Sequence, residues 1–505
     1  MKRNFNRYIY IAASVVVLFS TSCEKTLDIN DDPNNPKIES ATPEVLFPAG
    51  VMSSAGMIGG QLAILGGFWS QYWTQSNNSS QYREIDAYNL TSTSEEVNYP
   101  YQELYAGALQ DYKLAKEVAV SNQDWRYNLM VTVMNAYTYQ VLVDLYDKVP
   151  YSEALQGSAN LQPKFDDGYS IYKSLLADIN NALSKDFTSK AFSSSQSKTD
   201  LVFGAKGSAL FDVEMANWVK FANTLKLKMY LRMVNSRPTE ARDSIKSLID
   251  KGVPFLDVDA GVNIFTDVPN KSNPFYEFNI RRLNTTTNIR ASQTLTTYLD
   301  ANKDPRAKVY FGNDNPSAIH QGDYTATNAA NPTYGSSATF VQSATDPVWF
   351  ITAAESYFMQ AEALERYYGG AGAKAKYDQG VTAAFAQAGV TGVENYIGAG
   401  KVYEYKTAAT FEQKLQQIIT QKWLSFPGSH ALEGFFEQNR TGYPVISSVY
   451  STNSNYVPGQ LVYSKNGITG AGNFPRRLVF PDYERTRNKN TPVEVPIATK
   501  VWWAK

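Results

Sequence analysis

Leu129, Val133, Tyr137, Val141 and Leu145 recur every four residues, which lays one apolar stripe along a helix and commits that helix to pack against a neighbour. Trp218, Phe221, Ala222, Leu225 and Met229 repeat the pattern at spacings of three and four. Between the two stripes, Asp166 and Asp167 precede a helix carrying Ile171, Leu175 and Ile179, and both acids are placed to cap its free amides. Later helices are expected around Tyr357, Ala361 and Leu364, around Tyr377 to Ala388 after the turn Gly369 to Gly372, and from Leu415 through Ile418, Ile419 and Trp423. The expected class is mainly α. Paired helices with short turns suggest tetratricopeptide-like stacking, but the strict repeat signature is absent, so periodicity alone leaves an irregular helical domain as an equal alternative. With 505 residues there is material for one large core or two domains.

Packing alone must hold these helices, because Cys23 is the only cysteine in the chain. Its position is informative. Lys2, Arg3 and Arg7 flank an apolar run from Tyr8 to Phe19, and the small residues Ser20, Thr21 and Ser22 lead to Cys23. About a dozen apolar residues cannot cross a hydrocarbon layer about 30 Å thick, but they suit the core of a secretion signal. Residues 1–22 therefore read as a signal peptide. The small triplet before a lone cysteine resembles a bacterial lipoprotein cleavage site, with Ser20 where Leu is usual and Cys23 as the acylated first residue of the mature chain. The alternative is an ordinary signal peptide with an incidental cysteine. Residues 23–40, which include the acidic, proline-punctuated EKTLDINDDPNNP, read as a flexible tether. No later segment is expected to reach the length of a membrane span. The resulting location is a membrane surface, held by lipid, and export to the cell exterior rests on resemblance to the tethers of surface lipoproteins; the family resemblance below makes that membrane the outer one.

A formal net charge of -1 provides no excess of basic residues to neutralise phosphates, so nucleic acid is excluded as a general partner. Only 19% of residues are charged, while Tyr numbers 34, Phe 25 and Trp 8, so many tyrosines must be partly exposed on a surface suited to neutral, hydroxyl-rich ligands. His320 and His430 stand far apart without zinc spacing, and neither HExxH nor GxSxG occurs. The GAG of Gly470 to Gly472 lacks a strand–turn–helix setting for a nucleotide. No cofactor is expected; a structural Ca²⁺ stays open, but Asp and Asn are too scattered to name its ligands.

An ordered series of motifs runs through the chain. It comprises VLVDLYDKVPYSEALQG (141–157) with PKFDDGYSIYKSLLADINNAL, DLVFG (200–204), WVKFANTLKLKMYLR (218–232), DPR (304–306) and AAESYFMQAEAL (353–364). QKWLSF (421–426), NRTGYP (439–444), FPRRLVFP (474–481) and VWW (501–503) follow. This series resembles the SusD/RagB family of nutrient-binding outer-membrane lipoproteins, in the branch called SusD-like type two, over essentially the whole mature chain. The resemblance implies one SusD-like domain at 41–505. Its helical scaffold, with tetratricopeptide-like pairs, covers roughly 41–251 and 350–440, and its loop-rich ligand side roughly 252–349 and 442–505. It also implies a cap on a SusC-like TonB-dependent outer-membrane barrel, capture of a glycan and no catalysis.

Sugar recognition needs aromatic faces for the apolar side of a pyranose and hydrogen-bonding side chains for its hydroxyls. GGFWSQYWTQSNNSSQY (66–82) has this composition: Trp69 and Trp73 share a face if the segment is helical, and Asn77 and Asn78 follow. Both Trp side chains suit a buried core equally well. In NPFYEFNIRR (273–282), Phe275, Tyr276 and Phe278 crowd beside Arg281, either as a ligand platform or as a plug beneath a loop. Tyr324 and Tyr334, in the Asn/Thr/Gly-rich insert before Trp349, complete the candidates. The family resemblance supports these as regions, not as individual positions. Arg440, Arg476 and Arg477 are expected in loops, pairing with Glu433, Glu437 or backbone carbonyls. Glu355 and Glu362, seven apart on one helix, are read as bonding to neighbouring helix ends, and Trp502 and Trp503 as docking the tail. Glycan capture is thus the expected function, with peptide capture by the same architecture and an all-helical glycoside hydrolase as alternatives.

Overall fold

The computed structural model describes residues 41–187, 194–204, 211–470 and 472–505. The signal segment, Cys23 and the tether through residue 40 lie outside the described residues.

Helices α1 (Pro43–Ile58) and α2 (Gln61–Trp69) open the fold. Contrary to the sequence expectation, Pro43–Trp69 is long and apolar enough to cross a membrane, with mean hydropathy 1.3, but 83% of the qualifying window is buried inside the protein. It is an interior helix pair. α3 (Glu95–Glu103) continues through a π-helical turn (Leu104–Leu109) into α4 (Gln110–Ser121), which packs on α5 (Trp125–Tyr146). Asp124 caps α5 by accepting from the Tyr127 N–H at 3.3 Å. The stripe from Leu129 to Leu145 is buried as its spacing predicts, yet 20 of the 22 residues of α5 are buried. The reason is that α1, α4, α6 (Gly168–Leu183) and α7 (Phe211–Arg232) surround it, so one amphipathic stripe describes only part of its environment.

The two acids before α6 divide their tasks. The Asp167 carboxylate caps the helix, accepting from the Ser170 N–H at 3.0 Å. Asp166 instead accepts from the N–H groups of Ser152 at 2.7 Å and Tyr151 at 3.3 Å, fixing the hairpin of β2 (Lys148–Pro150) and β3 (Phe165–Asp167). Further packed pairs are α7 with α8 (Pro238–Asp250) and, later in the chain, α11 (Ala353–Tyr367) with α12 (Ala373–Gln387). α13 (Phe411–Leu424) packs on α11 and on α14 (Leu432–Thr441). The scaffold is thus helical with tetratricopeptide-like pairs.

Residues 252–349, expected to be loop-rich, include two helices that sequence reading did not place, α9 (Gln293–Ala301) and α10 (Arg306–Phe311). Two antiparallel ribbons join this region to the scaffold. β1 (Trp73–Gln75) pairs with β5 (Ile289–Ala291), Trp73 opposite Ala291, and β4 (Ala260–Val262) pairs with β6 (Val348–Ile351). Among the described residues, 442–505 holds one short helix, Asp482–Arg487.

A salt-bridge cluster lies where α5, α7, α11, α13 and α14 meet. Arg232 donates from Nε to Asp144 at 3.0 Å, and its two terminal nitrogens reach Glu433 and Glu437. Lys228 sits 3.1 Å from Glu355 and 2.7 Å from Glu433. Arg440 donates two bonds of 2.6 Å to Glu362 and also binds Glu437. It does so from within α14, not from a loop. Burial by itself would raise the Glu362 carboxyl, but Arg440 and Arg366 outweigh it and hold the group at about 2. Burial likewise opposes ionisation of Glu355, and Lys228, His430 and Lys422 overcome it, lowering that carboxyl too. The two acids are therefore bound to cations on neighbouring helices. Arg476 donates to the Asn439 side chain at 2.6 Å and Arg477 to the Tyr146 carbonyl. The chain end closes over this cluster: Trp503 is fully buried with the Arg232 guanidinium 5.1 Å from its ring centre, and Trp502 packs edge-on against Tyr172.

Candidate functional site

The two tryptophans expected to offer ring faces belong to the core. α2 ends at Trp69, and Gln71, with φ of 59°, turns the chain out of the helix into β1, so Trp69 and Trp73 never share a helical face. Trp69 packs on Phe435 and donates its indole N–H to the Ile85 carbonyl at 3.2 Å. Trp73 is 0% exposed, lies against Phe275 and Phe340, and donates to the Ile64 carbonyl at 3.1 Å. Gly67 makes room for it, because a Cβ there would stand 1.9 Å from the indole. Phe275 is buried in the same cluster. All three are buried, Trp69 and Trp73 within the core and Phe275 at its margin, where it lines a cavity. The two glycines ahead of Trp69 were the available signal: they mark where α2 packs closely against Leu432 and Trp73.

The polar residues that follow do reach the surface. Gln75 is buried at the end of β1 and organises the next turn, donating to the Ser79 hydroxyl at 2.6 Å and accepting from the Tyr82 N–H at 2.6 Å. Asn77 is held half-buried at the start of that turn, with Asn78 exposed beside it. The Asn77 amide donates to the Ala326 carbonyl at 3.1 Å and to the Asn328 side chain at 2.7 Å, joining two segments 250 residues apart in a single face. Tyr324 belongs to that face, 8% exposed, with the guanidinium of Arg83 5.2 Å above its ring. Two polar atoms there are buried without a hydrogen-bond partner: Asn77 Oδ1, an acceptor, and Arg83 Nε, a donor. Such orphans are costly unless something else satisfies them.

Asp86 underlies this face. Its carboxylate accepts from Thr74 at 2.8 Å, from the Gln75 N–H at 3.1 Å and from Gln321 at 2.7 Å, tying this segment to the turn before Tyr324. Complete burial raises its pKa to about 6 despite those donors. Asp323 is anchored from the far side by Tyr334 at 2.9 Å and Lys465 at 2.7 Å. Tyr334 therefore supports the face from within.

The second predicted cluster adjoins through Tyr82, whose hydroxyl donates to Asn279 at 3.1 Å. Arg282 lies 4.4 Å over the ring of Phe278, and exposed Tyr99 meets the same ring edge-on. A small cavity of about 100 Å³ between Gln81, Glu95, Glu96 and Phe278 separates this aromatic group from the body. Tyr276 is half-buried beneath Arg281, and that guanidinium is taken up by Asp267 at 2.5 Å and Glu277 at 3.2 Å, so it is engaged within its own loop. Sequence reasoning missed Arg83, Asn328 and Tyr99. Arg83 follows the quoted segment directly, but only the fold brings it over Tyr324.

Chemically the face offers an aromatic ring, amides and a guanidinium. Among the described residues no cluster of three or more His, Cys, Asp or Glu is placed to hold a metal ion. A model of the SusD-like family described as starch-binding and associating with the outer membrane matches residues 37–464. Among solved structures, a SusD homologue from Bacteroides uniformis is similar at TM-score 0.73 and 21% identity, covering 91% of this chain and 99% of its own. A chitin-binding SusD homologue from Flavobacterium johnsoniae is similar at TM-score 0.72 and 21% identity, covering 90% and 98%. A SusD-like protein from Bacteroides thetaiotaomicron is similar at TM-score 0.67 and 20% identity, covering 90% and 98%. No curated protein matches the chain by sequence.

Proposed function

Because this chain belongs to the SusD-like family, we propose that it is a cell-surface lipoprotein, acylated at Cys23, that binds an oligo- or polysaccharide and delivers it unaltered to a partner SusC-like TonB-dependent barrel in the outer membrane. The observation that supports the glycan reading is the face of Asn77, Asn78, Arg83 and Tyr324, where an acceptor and a donor stand unpartnered beside an aromatic ring. A pyranose has an apolar C–H face for the ring and hydroxyls that both donate to the Asn77 oxygen and accept from the Arg83 N–H. The family's description as starch-binding and the chitin-binding relative agree with a saccharide cargo. No bond making is asked of the protein: Glu355 and Glu362 are each neutralised by cations on other helices.

The test is a binding panel of malto-, chito- and xylo-oligosaccharides and of mixed peptides against the purified chain, with reducing-end release measured alongside. Micromolar to millimolar binding of a glycan without product, weakened in Asn77→Ala and Tyr324→Ala, is the expected result. Product release would make the protein a hydrolase, and binding of peptides but no glycan would shift the cargo to peptide. For the anchor, Cys23→Ser is expected to abolish fatty-acid labelling and move the protein from the membrane fraction to the soluble one.

A further inference from the structure

A second concavity opens between the loop Val341–Trp349, the end of α12 and the turn Ser425–His430. It shares no residue with the Tyr324 face. Phe275 and Phe340, stacked at 5.9 Å and 14°, line it, and buried Trp73 packs behind them. Trp349 is half-buried at its wall, and its backbone is pinned on both sides: the N–H donates to the Ser429 hydroxyl at 3.4 Å and the carbonyl lies 3.1 Å from His430 Nδ1. Val309 and Val341, 38% and 50% exposed, form an apolar rim.

Two of the polar atoms in this cleft are acceptors with no donor among the described residues, one buried and one on the exposed Asp346. Gln342 Oε1 is buried with no partner. Asp346 accepts from the Ser343 N–H at 2.7 Å through Oδ2, and its Oδ1 has no hydrogen-bond partner among the described residues. The enclosed volume is about 240 Å³. That lies below the roughly 300–1,000 Å³ of pockets that take drug-sized ligands, so the cleft suits a smaller unit such as one sugar ring.

We infer that this cleft is a second ligand subsite, taking a single neutral pyranose unit as a chain end or side branch of the captured glycan. An apolar ring face lies on Trp349 and the valine rim, and adjacent hydroxyls donate to Gln342 and Asp346. The inference rests on the glycan reading above but uses different residues, so the two fail separately. The Tyr324 face holds a segment of chain at the surface, and the cleft selects what terminates or branches from it.

Calorimetric titration of the full chain with glucose, galactose, mannose, xylose and N-acetylglucosamine tests the inference. At least one monosaccharide is expected to bind with millimolar affinity, and Trp349→Ala and Gln342→Leu are each expected to weaken it by about tenfold or more. Should Trp349→Ala disturb the fold, as read by its melting temperature, Gln342→Leu decides, since it roughly keeps the volume and removes the polar amide. The inference is overturned if none of the five binds, or if the variant that remains folded binds as tightly as the original. Loss of the cleft with oligosaccharide capture intact leaves the function above standing; absence of both overturns both.

Discussion

The salt-bridge cluster around Arg232 and the face around Tyr324 are both assembled from guanidinium, carboxylate and amide groups, but they differ in how fully those groups are partnered. Inside, Arg232 meets three carboxylates and Arg440 meets two, drawn from α5, α11 and α14. At the face, among the described residues, Arg83 lies over the ring of Tyr324 with an Nε that has no partner, and the Asn77 oxygen has none. A desolvated charge that meets its counter-ions fixes the packing of helices and has nothing left to offer a ligand. A half-exposed group that keeps an unused bonding position contributes little to the fold and is ready for one.

The contrast is broken most directly at its stronger pole. Arg440→Ala would leave Glu362 and Glu437 buried without their shared cation, a loss of about 5 kcal/mol in denaturant unfolding. A loss below about 1 kcal/mol would mean that the cluster does not hold the helices together. Next comes Trp73→Ala, expected to cost about 4 kcal/mol of stability because the ring is wholly enclosed. If that variant kept its stability and lost only glycan binding, Trp73 would belong to the face and not to the core.

Asp86 lies between the two poles, buried like the cluster yet supporting the face, and its titration sharpens the distinction. Folding raises its pKa from 3.8 to about 6, so the folded state holds the proton more tightly than the unfolded chain does. Its contribution to stability is therefore full in acid and is lost as pH rises through about 6, by about 3 kcal/mol in all. Urea melts across this range should show the decline in the original protein and a flatter profile in Asp86→Asn. An unchanged slope would assign the decline to other groups. The smallest effect on binding is expected at the weaker pole: Tyr324→Ala should lower glycan affinity by about 1 kcal/mol, about fivefold. A large loss of stability in this variant would make the ring a structural element.

Much of the scaffold was legible because helix periodicity is local. Ile171, Leu175 and Ile179 are all buried on α6, and Asp167 caps it. The pairing of Arg440 with Glu437 lies three residues apart on one helix, although its bidentate bond to Glu362 spans 78 positions. The candidate face was legible only in part. Asn77, chosen for composition, reaches the surface and bonds to the segment that carries Tyr324, whereas Trp69, Trp73 and Phe275, chosen on the same grounds, are enclosed, and Tyr324 is only 8% exposed. An aromatic residue carries the same chemistry in a core or on a platform, and nothing in its own neighbourhood says which side will face water.

Local information settled what is local here: helix spacing, the capping acid at 167, a lone cysteine after an apolar run, and a motif order that identifies the family. Tertiary structure alone decided which polar atoms are used up and which remain free. That outcome depends on contacts between segments hundreds of residues apart, such as Asn77 with Ala326 or Gln71 with Val462, and only the folded chain brings those partners within bonding distance.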